Sequence, residues 1–317
     1  MNQTVSQTQP GFEIIVVDNS GKGLVRSAGF PGITVIEMER NVGFGSAINA
    51  AMASSTAPYL ATLNDDAKAF PEWLAKLVAA LDRDPSVGSC ASQVRLSGGL
   101  HRENLLDSAG MLICGDGSSK QRGHRRSPSD FQSPEPILMP SASAALYRRA
   151  MLDETGGFDG DFFLYCEDTD LGLRAARAGW GCLYVPEAIV EHRYSHSAGR
   201  VSPLKAYYVE RNRLAVAIKN FPAPLLFAAP FVAIVRYWWH LAAMLRGEGA
   251  AGEFQREGNG GWRLIWFVLK AHLAAFARIG HLWRQRRQIQ ATSKVSSSSF
   301  IALLRRYSIS PRKVAAL

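Results

Sequence analysis

Two apolar runs that each stop on carboxylates constrain this chain more than any other feature. Phe12-Glu13-Ile14-Ile15-Val16-Val17 ends in Asp18-Asn19-Ser20-Gly21, and Tyr59-Leu60-Ala61-Thr62-Leu63 ends in Asn64-Asp65-Asp66. A short, nearly continuous apolar run bounded by turn residues reads as a buried strand. Ile33-Thr34-Val35-Ile36 reads as a further short strand. Asn41 to Ala53 is rich in Gly and Ala and suits a close-packed helix in its second half. Pro71 opens a second helix through Leu81, at a position where proline is tolerated. Strands alternating with helices imply an α/β, parallel, doubly wound sheet. In such sheets ligands sit beyond the carboxyl ends of the strands, which is where Asp18 and Asp66 stand.

A second acidic group, Tyr165-Cys166-Glu167-Asp168-Thr169-Asp170, opens an amphipathic helix that closes at Gly179. Hard oxygen ligands at a strand end suit Mg²⁺ or Mn²⁺. A second carboxylate group can supply a general base for a hydroxyl nucleophile. Both clusters have plainer readings as a solvated turn and as the acidic first turn of a helix, and Asp170 reads as structural. A lone histidine is more often structural than a ligand. His192 nevertheless follows the apolar run Ala188-Ile189-Val190 and reads as a site residue, with a weaker case for His196. Asn41-Val42-Gly43-Phe44-Gly45 lacks the Lys-Ser/Thr of a P-loop and the full dinucleotide spacing, so both of those readings are excluded.

The length of 317 residues suits one large α/β domain with an appendage. The net charge of +9 conceals an asymmetry: residues 1–199 carry 17 Lys+Arg against 23 Asp+Glu, and residues 200–317 carry 19 against 4. A basic, aromatic-rich second part points to an anionic partner. Leu225 to Leu245 is almost wholly apolar and reaches the length of a membrane span. Arg236 and Pro230 within it favour a helix lying at an anionic membrane surface. Trp262 to Ile279 repeats the pattern, and basic residues such as Arg246, Arg263, Lys270, Arg284, Arg286 and Arg287 lie near both. The four cysteines show neither C-x-x-C nor zinc spacing and read as reduced. No basic-then-apolar leader is visible, so a cytoplasmic location on the inner face of the membrane is expected. No nucleic-acid-binding module is visible, and the aromatic residues fall in apolar runs rather than stacking platforms, so no nucleic acid beyond a nucleotide is expected.

Several motifs occur in a fixed order: Phe12 to Ser20, Asn41-Val42-Gly43-Phe44-Gly45, Leu63-Asn64-Asp65-Asp66, Gly156-Gly157-Phe158-Asp159, Phe162-Phe163-Leu164-Tyr165, Glu167-Asp168-Thr169-Asp170-Leu171 and Glu191-His192. Across residues 10–220 the chain resembles the family-2 glycosyltransferases, especially their rhamnosyltransferase-like branch. The resemblance implies a GT-A fold with a doubly wound mixed sheet. It also implies inverting transfer of a sugar, a deoxyhexose such as rhamnose, from a nucleotide-sugar donor to a lipid-linked or cell-surface glycan acceptor. A divalent metal, Mg²⁺ or Mn²⁺, is implied as cofactor. Carried over by position, Asp18, Asn19, Asn41, Gly43, Asn64 and Asp65 face the donor, and Asp66 and His192 hold the metal. Asp168 is the catalytic base, while Gly157, Phe158, Asp159 and Glu167 lie on the acceptor side. Family members carry a strand and helix ahead of the Phe12 run, and this chain shows no counterpart. The expected division is therefore an N-terminally incomplete GT-A domain over 1–220, a helical membrane-associated region over 221–290 and a basic, largely disordered tail over 291–317. The rival reading is a non-catalytic, truncated remnant that acts as a membrane-bound binding or scaffold protein.

Overall fold

The structure is a computed structural model that describes residues 7–26, 32–97, 104–193, 202–247 and 261–317. The first part alternates β1 (Ile15–Asp18), β2 (Thr34–Glu37), α1 (Phe44–Ala53), β3 (Tyr59–Leu63), β4 (Ala67–Ala69), α2 (Trp73–Arg83) and β5 (Val87–Leu96). A polar excursion follows, with β6 (Leu106–Ser108), the hairpin β7 (Met111–Ile113) and β8 (Ser119–Gln121), and β9 (Glu135–Ile137). The chain returns through β10 (Ala144–Arg148), α3 (Arg149–Thr155), α4 (Glu167–Arg177) and the long β11 (Gly181–His192). Helices complete it: α5 (Pro203–Asn220), α6 (Ala223–Leu245), α7 (Gly261–Ala277), α8 (Ile279–Ala291), α9 (Ser297–Arg306) and α10 (Pro311–Ala316).

The main sheet has seven strands, ordered β3-β10-β5-β11-β4, with β6 added to β5 and β9 to β11. It is mixed rather than parallel. β5 and β11 run parallel, but β10 is antiparallel to both β3 and β5. The reason lies in the connection: β10 is reached through hairpins and loops, not through a helical crossover, so nothing forces it to be parallel. α2 covers one face, where Trp73, Leu77 and Leu81 meet Cys90, Val94, Leu146 and Val190. On the other, Phe158, Tyr147, Leu152 and Leu171 join α1, α3 and α4 to the sheet.

β1 and β2 form a separate two-stranded parallel sheet. The Ile-Val-Val run of β1 is therefore only half-buried, although its composition suits a central strand. The free edges of β1 and β3 face one cleft of about 1660 Å³, which Phe12 to Asp18 and Tyr59 to Ala67 line without interruption. All the carboxylates predicted to line a site, Asp159 excepted, open onto this cleft.

The C-terminal helices do not form a loose annex. Val216, Phe221, Phe300 and Leu304 share one core with Leu138, Met139, Phe162 and Leu173. The tail expected to be largely disordered contains α9 and α10, each capped by a serine hydroxyl, from Ser296 and Ser310. Their apolar residues Phe300, Leu304 and Val314 are buried, and that burial outweighs the polar composition of the segment. Arg236, the residue that interrupts the long apolar run, turns inward. Its guanidinium meets Asp116 Oδ2 at 2.5 Å and Glu210 Oε2 at 3.0 Å. Arg213 Nε donates to Glu210 Oε1 at 2.8 Å, and the Tyr237 hydroxyl donates to the same carboxylate. Arg286 is likewise no surface charge, since it donates to the carbonyls of Ile218 and Phe221. α6 is thus fixed along one side to the main body by buried ions. Replacing Arg236 by Met should leave Asp116 and Glu210 short of a cation and cost on the order of 3 kcal/mol in a denaturant melt. An unchanged midpoint would show that the network does not anchor α6.

Candidate active site

The cleft floor is built from strand ends and one strained turn. Asp18, at the end of β1, has both carboxylate oxygens engaged. Ser20 N donates to Oδ1 at 3.0 Å and Val25 N donates to Oδ2 at 2.9 Å. These hydrogen bonds, with that from the Ser20 hydroxyl foremost, hold its carboxyl below the usual range. Asn19 accepts from Val42 N at 2.9 Å and donates to Asn41 Oδ1 and Gly43 O, both at 3.2 Å. Asn41 Oδ1 also accepts from Gly43 N. Asn19, Asn41 and Gly43 therefore form one knot at the start of α1. Gly43 has φ 87°, and an added Cβ would lie 2.3 Å from Phe163 O, so only glycine fits there. Of this group, Asp18, Asn19 and Asn41 line the cleft.

Asn64, Asp65 and Asp66 follow β3, and all three line the cleft. Asp65 is exposed. Asp66 Oδ1 lies 3.0 Å from His192 Nε2, and His192 Nδ1 lies 2.8 Å from Asp107 Oδ2. Asp107, on β6, also stands 3.2 Å from His124 Nδ1. Burial opposes the charge on Asp107, but hydrogen bonds from His124 and His192 outweigh it and hold the carboxyl below its ordinary range. Burial likewise opposes a charged His192, yet Asp107 and Asp66 raise its pKa. A histidine oriented by a carboxylate on one nitrogen and free to bind through the other is the usual form of a metal-ligating imidazole. The 3.0 Å between Asp66 Oδ1 and His192 Nε2 is about the spacing of neighbouring ligands on an octahedral ion with bonds of about 2.1 Å. Among the described residues no group of three or more such side chains forms a closed cage. Two protein ligands suit Mg²⁺ or Mn²⁺, which keep positions for water and phosphate oxygens. Asp107 is the participant that sequence reasoning missed; it sits in a Leu-Asp-Ser strand with no motif around it. His196 lies outside the described residues.

Glu167 and Asp168 open α4 after an unusual turn. Phe163, Tyr165 and Cys166 have φ of 63°, 69° and 67°, values that non-glycine residues adopt at a cost on the order of 1 kcal/mol or more each. Asn212 on α5 holds the turn, its Nδ2 donating to the carbonyls of Phe162 (2.9 Å), Leu164 (2.8 Å) and Tyr165 (2.7 Å). Asp168 Oδ1 accepts from Thr169 N at 2.7 Å and Oδ2 accepts from Ala142 N at 3.3 Å. Burial nonetheless raises its pKa. Burial, then the Asp168 charge, raises Glu167 as well, and Glu167 Oε2 has no hydrogen-bond partner. Both residues line the cleft, and a carboxylate with raised pKa is suited to accept a proton.

Three predicted acceptor-side residues are placed elsewhere. Phe158 packs its ring edge against Phe44 and Tyr147. Gly157 carries φ 67° and its carbonyl accepts from Arg174. Asp159 accepts from Lys219 Nζ at 2.6 Å and from Gln285 Nε2 at 2.8 Å. None of the three lines the cleft; the Gly-Phe-Asp turn is used for packing α1, α4 and α5 together. Asp170 is structural, as its position suggested. Burial opposes its charge, but Lys219 and Arg174 hold the carboxyl down to about 2.

Two measurements follow from this geometry. Asn212→Ala removes the donor that holds three carbonyls and should cost about 2 kcal/mol or more, read by denaturant unfolding. The raised Glu167 favours the folded state fully below pH 4.5 and loses that contribution as pH climbs to about 8. Glu167→Gln should therefore gain thermal stability over the parent at the alkaline end of this window and little at the acid end. A pH-independent difference would contradict the assignment.

The sequence model described as Glycosyl transferase family 2 matches residues 1–156. An N-acetylglucosaminyl-diphospho-decaprenol L-rhamnosyltransferase of Mycobacterium tuberculosis is 27% identical over 219 residues, covering 61% of this chain and 70% of the relative. A pre-mycofactocin glycosyltransferase of the same organism is 30% identical over 223 residues, covering 69% of this chain and 45% of that relative. Among solved structures, GalNAc-T7 with UDP, GalNAc and Mn²⁺ aligns at a TM-score of 0.57 and 14% identity, over 74% of this chain and 46% of that one. At that identity the likeness speaks for the fold alone. The family match stops short of Glu167, Asp168 and His192, whose places rest on the geometry above. Residues 1–156 of this chain belong to glycosyl transferase family 2, and the chain has the GT-A fold.

Proposed function

We propose that the chain is an inverting glycosyltransferase that moves a sugar, a deoxyhexose such as rhamnose, from a nucleotide-diphosphate donor to a lipid-linked or cell-surface glycan. The observation that carries this reading is one cleft holding the Asp66–His192 pair and the half-buried Asp168 together. Asp66 and His192 would hold Mg²⁺ or Mn²⁺, which when bound neutralises charge on a leaving diphosphate. Asp168 accepts the proton of the acceptor hydroxyl as that oxygen attacks the anomeric carbon from the face opposite the diphosphate. The bond from that carbon to the diphosphate oxygen breaks, and the nucleoside diphosphate leaves with the bonding pair. Asn64 and Asp65 lie beside Asp66 and serve the donor, as do Asn19 and Asn41 through the loop they fix. The raised pKa of Asp168 shifts the acid limb of the rate profile above that of an ordinary aspartate.

The reading extends to a cytoplasmic protein lying on an anionic membrane. Ala223–Leu245 is long and apolar enough to cross a bilayer by length and composition. Its anchored side carries Arg236, whereas Phe227, Phe231 and Trp238 are exposed, as are Trp262, Ile265 and Phe276 of α7. Two helices, each with one docked side and one exposed apolar side, fit interfacial burial better than a span. A second reading, a non-catalytic remnant that binds membrane or glycan, draws on the detached β1–β2 sheet and the open cleft between β1 and β3.

Calorimetry across dTDP-, UDP- and GDP-sugars with and without Mn²⁺ separates the two. Metal-dependent binding of one donor is expected, and no binding by a folded chain supports the remnant. Asp168→Asn should lower turnover by roughly 10²–10⁴-fold with donor affinity retained; near-normal turnover would remove Asp168 from the role of base.

A further inference from the structure

Among the described residues, Lys120 is a half-buried cation of the cleft wall that the reaction described above does not use. The buried cations among the described residues have partners. Arg213 and Arg236 meet Glu210 and Asp116, Lys219 meets Asp159 and Asp170, and Arg177 donates to Asn220 O. The Lys120 side chain has no hydrogen bond or ion pair to any described residue. A half-buried ammonium that lines a cleft without a counter-charge leaves a seat for an anion that a ligand supplies. Burial, together with the charges of Lys205 on α5 and Arg236 on α6, draws its pKa down to about 8. An anion bound there would reverse that shift.

Its position is set by β8. Ser119, the preceding residue, is hydrogen-bonded through its hydroxyl to Thr169 Oγ1 at 2.7 Å, and Thr169 N donates to Asp168. Successive side chains on a strand point to opposite faces, so Lys120 projects away from Thr169, toward α5 and α6. There the same cleft is lined by Lys205, Tyr237 and His240, and it continues to Leu264 and Val268 on α7. Burial and the charges of Arg236 and Lys120 keep His240 neutral, with a pKa near about 4, so it adds no charge to the wall. The cleft thus runs from Asp168, past a surplus cation, to α6 and α7, whose outer sides are exposed and apolar.

We propose that Lys120 seats a phosphate of the acceptor, and that the acceptor is a sugar joined through phosphate or diphosphate to a lipid whose chain leaves between α6 and α7. The proposal rests on the glycosyltransferase reading and names its acceptor class. The order of groups matches: sugar hydroxyl at Asp168, phosphate at Lys120, hydrocarbon at the apolar helices.

The test is calorimetry on the full chain with decyl diphosphate, inorganic pyrophosphate and decanol, with donor affinity measured in parallel in the presence of Mn²⁺. The parent chain should bind decyl diphosphate more tightly than either pyrophosphate or decanol. Lys120→Met should weaken decyl diphosphate by about ten-fold or more, the loss expected for one charge-assisted contact. Lys120→Arg should restore most of it, and neither variant should change the donor Kd. Pyrophosphate binding as tightly as decyl diphosphate would overturn the lipid source. An equal loss of donor affinity in Lys120→Met would overturn the proposal by assigning the lysine to the donor. Donor binding without decyl diphosphate binding would overturn it while leaving the glycosyltransferase reading standing. Loss of both ligands in the parent chain would overturn the two together.

Discussion

The turn from Phe163 to Cys166 depends on one side chain from a distant part of the chain. Three non-glycine residues with positive φ place Glu167 and Asp168 at the cleft, and such a conformation persists only when its surroundings over-determine it. Asn212 does this by donating to the carbonyls of Phe162, Leu164 and Tyr165. Farther along α5, Lys219 and Asn220 hold Asp170, two residues beyond the proposed base. α5 is therefore part of the framework that shapes the cleft, and the candidate site cannot be described without it.

The same helix carries the ions that fasten the C-terminal region. Glu210 and Arg213 of α5, Arg236 and Tyr237 of α6, and Asp116 from the β7–β8 connection form one buried network. A buried pair is a modest source of stability but a strong source of orientation, because any rearrangement leaves a charge uncompensated. The consequence here is geometric. α6 presents its apolar residues outward and its polar ones to the cleft, so a helix that resembles a membrane span becomes a wall of the site with one exposed side.

Much of this was legible from the residues. The strand ends at Asp18 and Asp66, the helix opening at Glu167 and the terminal His192 all occupy their expected places, because apolar runs and turn residues are local signals. Gly157, Phe158 and Asp159 misled for the opposite reason. Their motif order is real, but packing assigns Phe158 to the α1 interface and Asp159 to a lysine 60 residues away, a partner that no local pattern reveals. Asp107 was invisible because a single aspartate in a short strand carries no signal until the fold sets it 2.8 Å from His192. The tail at 291–317 read as disordered because its serines and arginines outnumber the few residues, such as Phe300 and Leu304, that bury it.

The sequence by itself determined the class of fold, the strand-end carboxylates and the order of the family motifs, all of which follow from residue type and spacing over short stretches. It also determined the apolar and basic character of the C-terminal helices. Only the tertiary structure decided the antiparallel insertion of β10, the separation of β1–β2 from the main sheet, and the pairing of Asp66, His192 and Asp107. It alone decided that carboxylates match Arg236 while no described carboxylate meets Lys120. Each of these is a contact between residues far apart in the chain, and a buried charge takes its meaning from its neighbours in space rather than from those in sequence.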